Sequence, residues 1–133
     1  MQGLHLTADL RQCAPGTAAL TDPQALRQLC LAAVADSGLQ AVGELFHRFP
    51  PPGGVTGVVL LAESHLAVHT WPELGAVTLD VYVCNLNGDH SAKAEALMAR
   101  LQEAFSAAQI ERHRLLRGNG PAGFKSTGDA GPA

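Results

Sequence analysis

Residues 65–84 read HLAVHTWPELGAVTLDVYVC, and the second half of this stretch alternates with a period of two. From Val77 to Val83 the odd-numbered positions are all apolar. The even-numbered positions beside them are Thr78, Asp80, Tyr82 and Cys84. Successive side chains of a β-strand point to opposite faces of a sheet, so the pattern is typical of a strand with one buried and one polar face. We therefore expect Cys84 on the polar face and not in the core.

The first half of the stretch predicts a second strand, from His65 to Trp71. Its odd positions carry two imidazoles, His65 and His69, on the less apolar side. Further strands are predicted at 4–10, 42–49, 55–62 and 110–116, the last with poor alternation. The sequence PPPGG at 50–54 indicates a turn.

Two amphipathic helices are predicted. The residues TDPQ at 21–24 supply a capping residue and an early proline, and apolar residues then recur at helical spacing until Gly38. This first stripe consists of Leu26, Leu29, Cys30, Ala33 and Val34. The second stripe follows Asp89 and consists of Ala94, Leu97, Met98, Leu101 and Phe105.

The order of these elements favours an α+β fold, a two-layer sandwich in which both helices cover one face of a largely antiparallel sheet. We expect one domain over residues 1–116 and a partly mobile Gly-, Pro- and Ala-rich tail over 117–133. The second face of the sheet would need a cover. A second copy of the chain would supply it, so we expect a homodimer or a higher homo-oligomer.

The composition narrows the functional classes. The chain has 133 residues, 47% of them hydrophobic, and a formal net charge of -3. Its Lys and Arg residues form no basic stripe, so we do not expect nucleic acid as a partner. No apolar run approaches the roughly 20 residues needed to span a bilayer, and the first residues do not resemble a secretory signal. We therefore expect a cytoplasmic protein without a membrane partner.

Spacing alone does not assign the chemistry of Ser64, His65, His69 and Cys84. A serine before two histidines is compatible with a purely structural role, and Cys84 could be an ordinary buried thiol. The His65-x-x-x-His69 spacing lacks a third clustered ligand, so we predict no metal site. The three cysteines have no Cys-x-x-Cys pairing.

A longer pattern is more specific. Residues 63–73, ESHLAVHTWPE, and 80–84, DVYVC, resemble the signature of the small prokaryotic S-adenosylmethionine decarboxylase proenzymes. The resemblance extends to GLHL at 3–6, FHRF at 46–49, GVV at 57–59 and RGNGP at 117–121. It covers nearly the whole chain.

The resemblance implies a self-cleaving enzyme. Ser64 would attack the Glu63 carbonyl to form an ester, and His69 would take the Ser64 α-proton to break it, giving a β chain of 1–63 and an α chain of 64–133. Ser64 would thereby become a covalent pyruvoyl group, which forms a Schiff base with the substrate amine and accepts electrons when CO2 leaves. Cys84 would return a proton to the product.

The resemblance also assigns supporting residues. Thr56 stands where a serine is usual and would assist cleavage through its hydroxyl. Glu73 would lie near the substrate, and Asp80 is a second acidic candidate for binding it. Phe46 and Phe49 could stack on adenine or could simply pack under the sheet.

The chain departs from the family pattern near the expected substrate pocket. Leu74-Gly75-Ala76 lacks the usual aromatic residue, Leu4 replaces an arginine, and Asn85 follows Cys84 where glycine is usual. S-adenosylmethionine, a precursor in spermidine and other polyamine synthesis, is the first expectation, and L-ornithine or L-arginine is the alternative. A non-catalytic binding subunit is a further alternative, but Ser64, His69 and Cys84 are all present.

Overall fold

The computed structural model describes residues 2–86 and 88–118. Its main elements are β1 (Gly3–Arg11), α1 (Pro23–Asp36), β2 (Ala41–Arg48), β3 (Val55–Leu61), β4 (Ser64–Trp71), β5 (Ala76–Cys84), α2 (Ser91–Phe105) and β6 (Gln109–Arg117). Short 3-10 helices lie in the connections at Ala18–Leu20 and Pro72–Leu74. The predicted strands and helices are all present, with ends that differ by no more than two residues.

The six strands form one sheet in the order β2-β3-β4-β5-β1-β6. Every neighbouring pair is antiparallel. Both helices pack on the same face, where side chains such as Leu6, Leu66 and Val81 form one buried core with the apolar stripes of α1 and α2. The predicted α+β fold is confirmed.

Local chemistry sets the limits of α1. The Asp22 carboxylate accepts a hydrogen bond of 2.9 Å from the Gln24 N–H, which satisfies one of the free amides of the first turn. Pro23 occupies the first helical position, where a missing N–H costs nothing. After the helix, Gly38 adopts a positive φ of 82°, which lets the chain turn back toward β2.

Phe46 packs on the helix-covered face. It lies opposite Gly57 in the β2–β3 register, and its ring covers the glycine so closely that an added Cβ would come within 2.1 Å of it. The ring is partly buried against the core. Phe46 therefore packs against Gly57 on the helix-covered face of the sheet.

The face opposite the helices carries exposed apolar side chains. Leu45 of β2 is 70% exposed, and Leu60 of β3 and Leu115 of β6 are each 50% exposed. Large apolar surface of this kind is typical of a face that is covered by another molecule.

β6 ends at Arg117, one residue beyond the predicted end of the domain. Its residues are all exposed because β6 lies at the edge of the sheet beyond the main contacts of both helices, and this explains its poor alternation in the sequence. Residues 119–133 of the predicted mobile tail lie outside the described residues. In the part of the chain that the structure describes, no helix is long and apolar enough to cross a membrane.

We expect Gly57→Ala to lower the free energy of unfolding by about 1–3 kcal/mol, because the methyl group would displace the Phe46 ring. Urea unfolding followed by circular dichroism would measure it. Gly43→Ala is the matched control, since an added Cβ there meets only Leu60 at an ordinary 3.5 Å. Equal unfolding free energies for the two variants would contradict the proposed contact.

Candidate active site

The bond predicted to be cut lies at an exposed turn between β3 and β4. Glu63, the residue before the bond, has a φ of 58°, in the left-handed region. For a residue with a side chain this conformation costs about 1–2 kcal/mol. The Glu63–Ser64 bond therefore follows a strained residue, which fits a bond that rearranges.

Ser64 and Cys84 lie together at one end of the sheet. The Ser64 Oγ accepts a hydrogen bond of 3.2 Å from the Cys84 backbone N–H. Cys84 is the last residue of β5, is 8% exposed, and is not part of the main hydrophobic core. Its position next to Ser64 agrees with a role beside the cleavage site.

Thr56 of β3 and His69 of β4 lie together, away from the Ser64 end of β4. They are opposite each other in the β3–β4 register, with the Thr56 Oγ1 and the His69 Nδ1 3.1 Å apart. A cavity of about 250 Å³ adjoins them and is also lined by Phe49, Trp71 and Glu73. The ring of Phe49 is held edge to face by His47, with the ring centres 4.7 Å apart.

These two groups are separated within one chain. Ser64 and His69 are five residues apart on the continuous strand β4, and a strand rises about 3.3 Å per residue, so they lie about 16 Å apart. A proton transfer needs contact at about 3 Å. A single chain therefore brings Ser64 to Cys84 and Thr56 to His69, but does not bring Ser64 to His69.

The remaining predicted binding residues are placed differently. Phe49 and Glu73 share the cavity beside His69. Phe46 lies on the helix-covered face, away from that cavity, because its position in β2 directs it toward Gly57 and α1. Asp80 lies on the open face, where its Oδ1 is 3.1 Å from the His5 Nε2.

Asp80 belongs to a polar cluster that also contains His5, His65, Tyr82 and Arg117. The His65 ring stacks on Tyr82 with centres 5.7 Å apart, and the guanidinium of Arg117 lies 5.9 Å from the centre of the Tyr82 ring. Arg117 also approaches the His5 Nδ1 at 3.3 Å. No pattern in the sequence predicted a role for His5, Tyr82 or Arg117. The period-two alternation of β1 and β5 places His5 and Tyr82 on the polar face of their strands. It does not show that these two strands are neighbours.

Burial and neighbouring charged groups shift the pKa of His65 in this cluster. Burial lowers the pKa of His65, the nearby His5 lowers it further, and Asp80 opposes the change.

Burial raises the pKa of the Cys13 thiol and raises that of Cys30 to about 12, so neither is a ready nucleophile or proton donor. Across residues 2–86 and 88–118, no three His, Cys, Asp or Glu side chains are grouped so that they could hold a metal ion.

Comparison with known proteins gives one consistent answer. Residues 4–118 match the family model described as S-adenosylmethionine decarboxylase. The chain is 38% identical to the S-adenosylmethionine decarboxylase proenzyme of Symbiobacterium thermophilum, over 89% of this chain and 84% of that one. It is 35% identical to the proenzyme of the same name from Pyrococcus furiosus, over 87% and 78%. The crystal structure of the adenosylmethionine decarboxylase from Aquifex aeolicus superposes with a TM-score of 0.79 at 33% identity, covering 93% of this chain and 97% of that one.

The surroundings of His65 predict its titration. We expect its imidazole to titrate below the ordinary histidine value, so that folding disfavours the charged form and its contribution to stability falls as the pH drops through that ordinary value. NMR titration of the ring protons would measure it. His5→Asn should raise the midpoint and Asp80→Asn should lower it further. Shifts of the opposite sign in both variants would contradict this account.

Proposed function

This chain belongs to the S-adenosylmethionine decarboxylase family, and we propose that it matures by cutting its own backbone between Glu63 and Ser64. The observation that carries the proposal is the contact between the Ser64 hydroxyl and the Cys84 amide, directly after the strained backbone of Glu63. The Cys84 amide restrains the hydroxyl of the residue that follows the bond, and the left-handed backbone of Glu63 would supply part of the activation energy as strain.

The cleavage uses side chains from two copies of the chain, Ser64 of one copy and His69 of the other. The Ser64 Oγ attacks the Glu63 carbonyl carbon, the C–N bond breaks, the hydroxyl proton passes to the Ser64 nitrogen, and an ester replaces the peptide bond. His69 of the second copy removes the Ser64 α-proton, which expels the Glu63 carboxylate and leaves dehydroalanine. Water converts this residue to a pyruvoyl group and releases ammonia. Thr56 holds the His69 ring through the 3.1 Å contact and so orients the base.

The reaction of the mature enzyme is the decarboxylation of S-adenosylmethionine, a step of polyamine synthesis. The comparisons favour this substrate over L-ornithine and L-arginine, since the relatives reported above are named for it. The pyruvoyl group supplies an electron sink for the departing CO2. We propose that the Cys84 thiol returns the proton, because the backbone amide of the same residue contacts Ser64. The cytoplasm stays our prediction for where this takes place.

The cavity beside His69 is the proposed substrate subsite. Phe49 is 49% exposed and is fixed at its edge by His47, so one ring face is free to stack on adenine. The Glu73 carboxylate lines the same cavity and could accept hydrogen bonds from ribose or pair with the sulfonium charge. Phe46 is less suited, because its ring is already packed over Gly57.

A second copy of the chain would complete the site. Two sheets packed through their open faces about a two-fold axis that runs across the strands, near Ala67, would bring the Ser64 end of one chain to the His69 end of the other. The same arrangement would cover the exposed apolar side chains Leu45 and Leu60. We therefore propose a homodimer with two shared active sites.

Self-cleavage is the direct test. Pulse-labelled chain made by cell-free translation should convert to fragments 1–63 and 64–133, with the second fragment carrying a pyruvoyl mass and resisting Edman sequencing. Ser64→Ala should abolish the conversion, because no hydroxyl remains to attack. Cys84→Ala is the control, since it keeps the backbone amide and should still cleave. An unaltered chain that stays intact at neutral pH would contradict the proposal of self-cleavage.

The shared site predicts complementation between two inactive chains. Ser64→Ala supplies an intact His69, and His69→Ala supplies an intact Ser64, so a mixed dimer contains one complete site. Co-expression should cleave about half of the His69→Ala chains, the share that random pairing places in mixed dimers. Mass spectrometry of the separately tagged chains would count them. No cleavage on co-expression, with the unaltered chain cleaving normally, would show that the site lies within one chain.

A further inference from the structure

Asn85 occupies a point where three parts of the structure meet. Its backbone N–H donates to the Gln2 carbonyl at 2.8 Å, just before β1. Its side-chain Oδ1 accepts from the His90 N–H at 2.8 Å, and its Nδ2 donates to the Ser91 Oγ at 3.3 Å, both at the start of α2. A residue directly after Cys84 is thereby fixed to both β1 and α2.

Cys84 is paired with Gly3 of β1 on one side, but on its other side it lies beyond the end of the β4–β5 ladder, so the Cys84 amide that faces β4 depends on other contacts. The register between β4 and β5 ends with His65 opposite Tyr82. Beyond that pair, the Cys84 N–H turns to the Ser64 hydroxyl. Strand ends with few backbone bonds open more readily than strand centres, and a loosened Cys84 amide would release the hydroxyl that attacks.

The start of α2 is a firm anchor for these contacts. Ala94, Leu97 and Met98 of its first two turns are fully buried in the core. The Asp89 carboxylate caps the helix by accepting from the Ser91 N–H at 2.9 Å. The Asn85 carboxamide therefore connects the end of β5 to a rigid element.

We propose that Asn85 is a positioning residue for self-cleavage, holding the Cys84 amide against the Ser64 hydroxyl through its contacts with Gln2, His90 and Ser91. The inference rests on the proposed function, since it concerns the same Glu63–Ser64 bond. It acts in the uncleaved chain, before the pyruvoyl group exists, and its test needs no decarboxylase activity.

Two substitutions of nearly equal size separate the polar contacts from the space they fill. Asn85→Leu removes both side-chain bonds and should slow self-cleavage about three- to tenfold, the effect of losing one or two hydrogen bonds that position a reacting group. Asn85→Asp should cleave at close to the unaltered rate, because its carboxylate can accept from the His90 N–H and from the Ser91 hydroxyl. Gln109→Leu, which replaces an exposed amide at the start of β6, opposite Arg11 at the far end of β1, is the control and should cleave normally.

The rates are to be measured by pulse-labelled cell-free synthesis, at a temperature where circular dichroism shows each variant fully folded. Hydrogen exchange at the His90 amide should rise in Asn85→Leu and not in Asn85→Asp. A folded Asn85→Leu chain that cleaves at the unaltered rate overturns the inference, even if its melting temperature is lower, because that result describes a purely structural role.

A second variant keeps the test decisive if Asn85→Leu does not fold. Ser91→Ala removes only the Nδ2 contact and should slow cleavage about twofold, and an unchanged rate there overturns the inference. The unaltered chain is the control for the proposed function. If it fails to cleave, both proposals fall together, whereas normal cleavage of both the unaltered chain and Asn85→Leu removes this one alone.

Discussion

The structure depends on the fact that two helices cover one face of a six-stranded sheet and leave the other open. The apolar side chains of the strands pack against the helices on the covered face, and their burial stabilises a chain of this size. The open face carries Thr56, His69 and Asp80, together with exposed leucines. We therefore propose that this surface carries both the reacting groups and the dimer contact, since a second copy that covers the leucines would also enclose Thr56 and His69.

The antiparallel ladder fixes the distances between those groups. Thr56 meets His69 because β3 and β4 pair in that register, and the same register keeps His69 about 16 Å from Ser64. A shift of one residue would turn His69 toward the helices, where it would be buried without its partner. The burial of Leu66 and Val68 opposes such a shift, so core packing holds the geometry of the site.

The groups nearest the cleavage bond lie where regular structure ends. Glu63 adopts a left-handed backbone at a tight turn, and the Cys84 amide donates to a hydroxyl because the β4–β5 ladder ends at Tyr82, two residues earlier. Backbone groups at strand ends can form hydrogen bonds with a side chain, whereas those in the middle of a sheet are already paired. The side chain of Asn85 connects this end of the sheet to the start of α2 through its bonds to His90 and Ser91.

The sequence by itself determined the strands and helices, because burial on one face imposes a period of two on β5 and a helical period on α2. A long, specific resemblance also predicted Ser64, His69, Cys84 and Thr56 as site residues. Only the tertiary structure decided which strands are neighbours, and so revealed the cluster of His5 with Asp80 and the separation of Ser64 from His69. It also placed Phe46 under the sheet and Phe49 beside the cavity. The physical reason is that alternation records which face a side chain occupies, whereas the choice of a hydrogen-bonded partner strand depends on contacts between residues far apart in the chain.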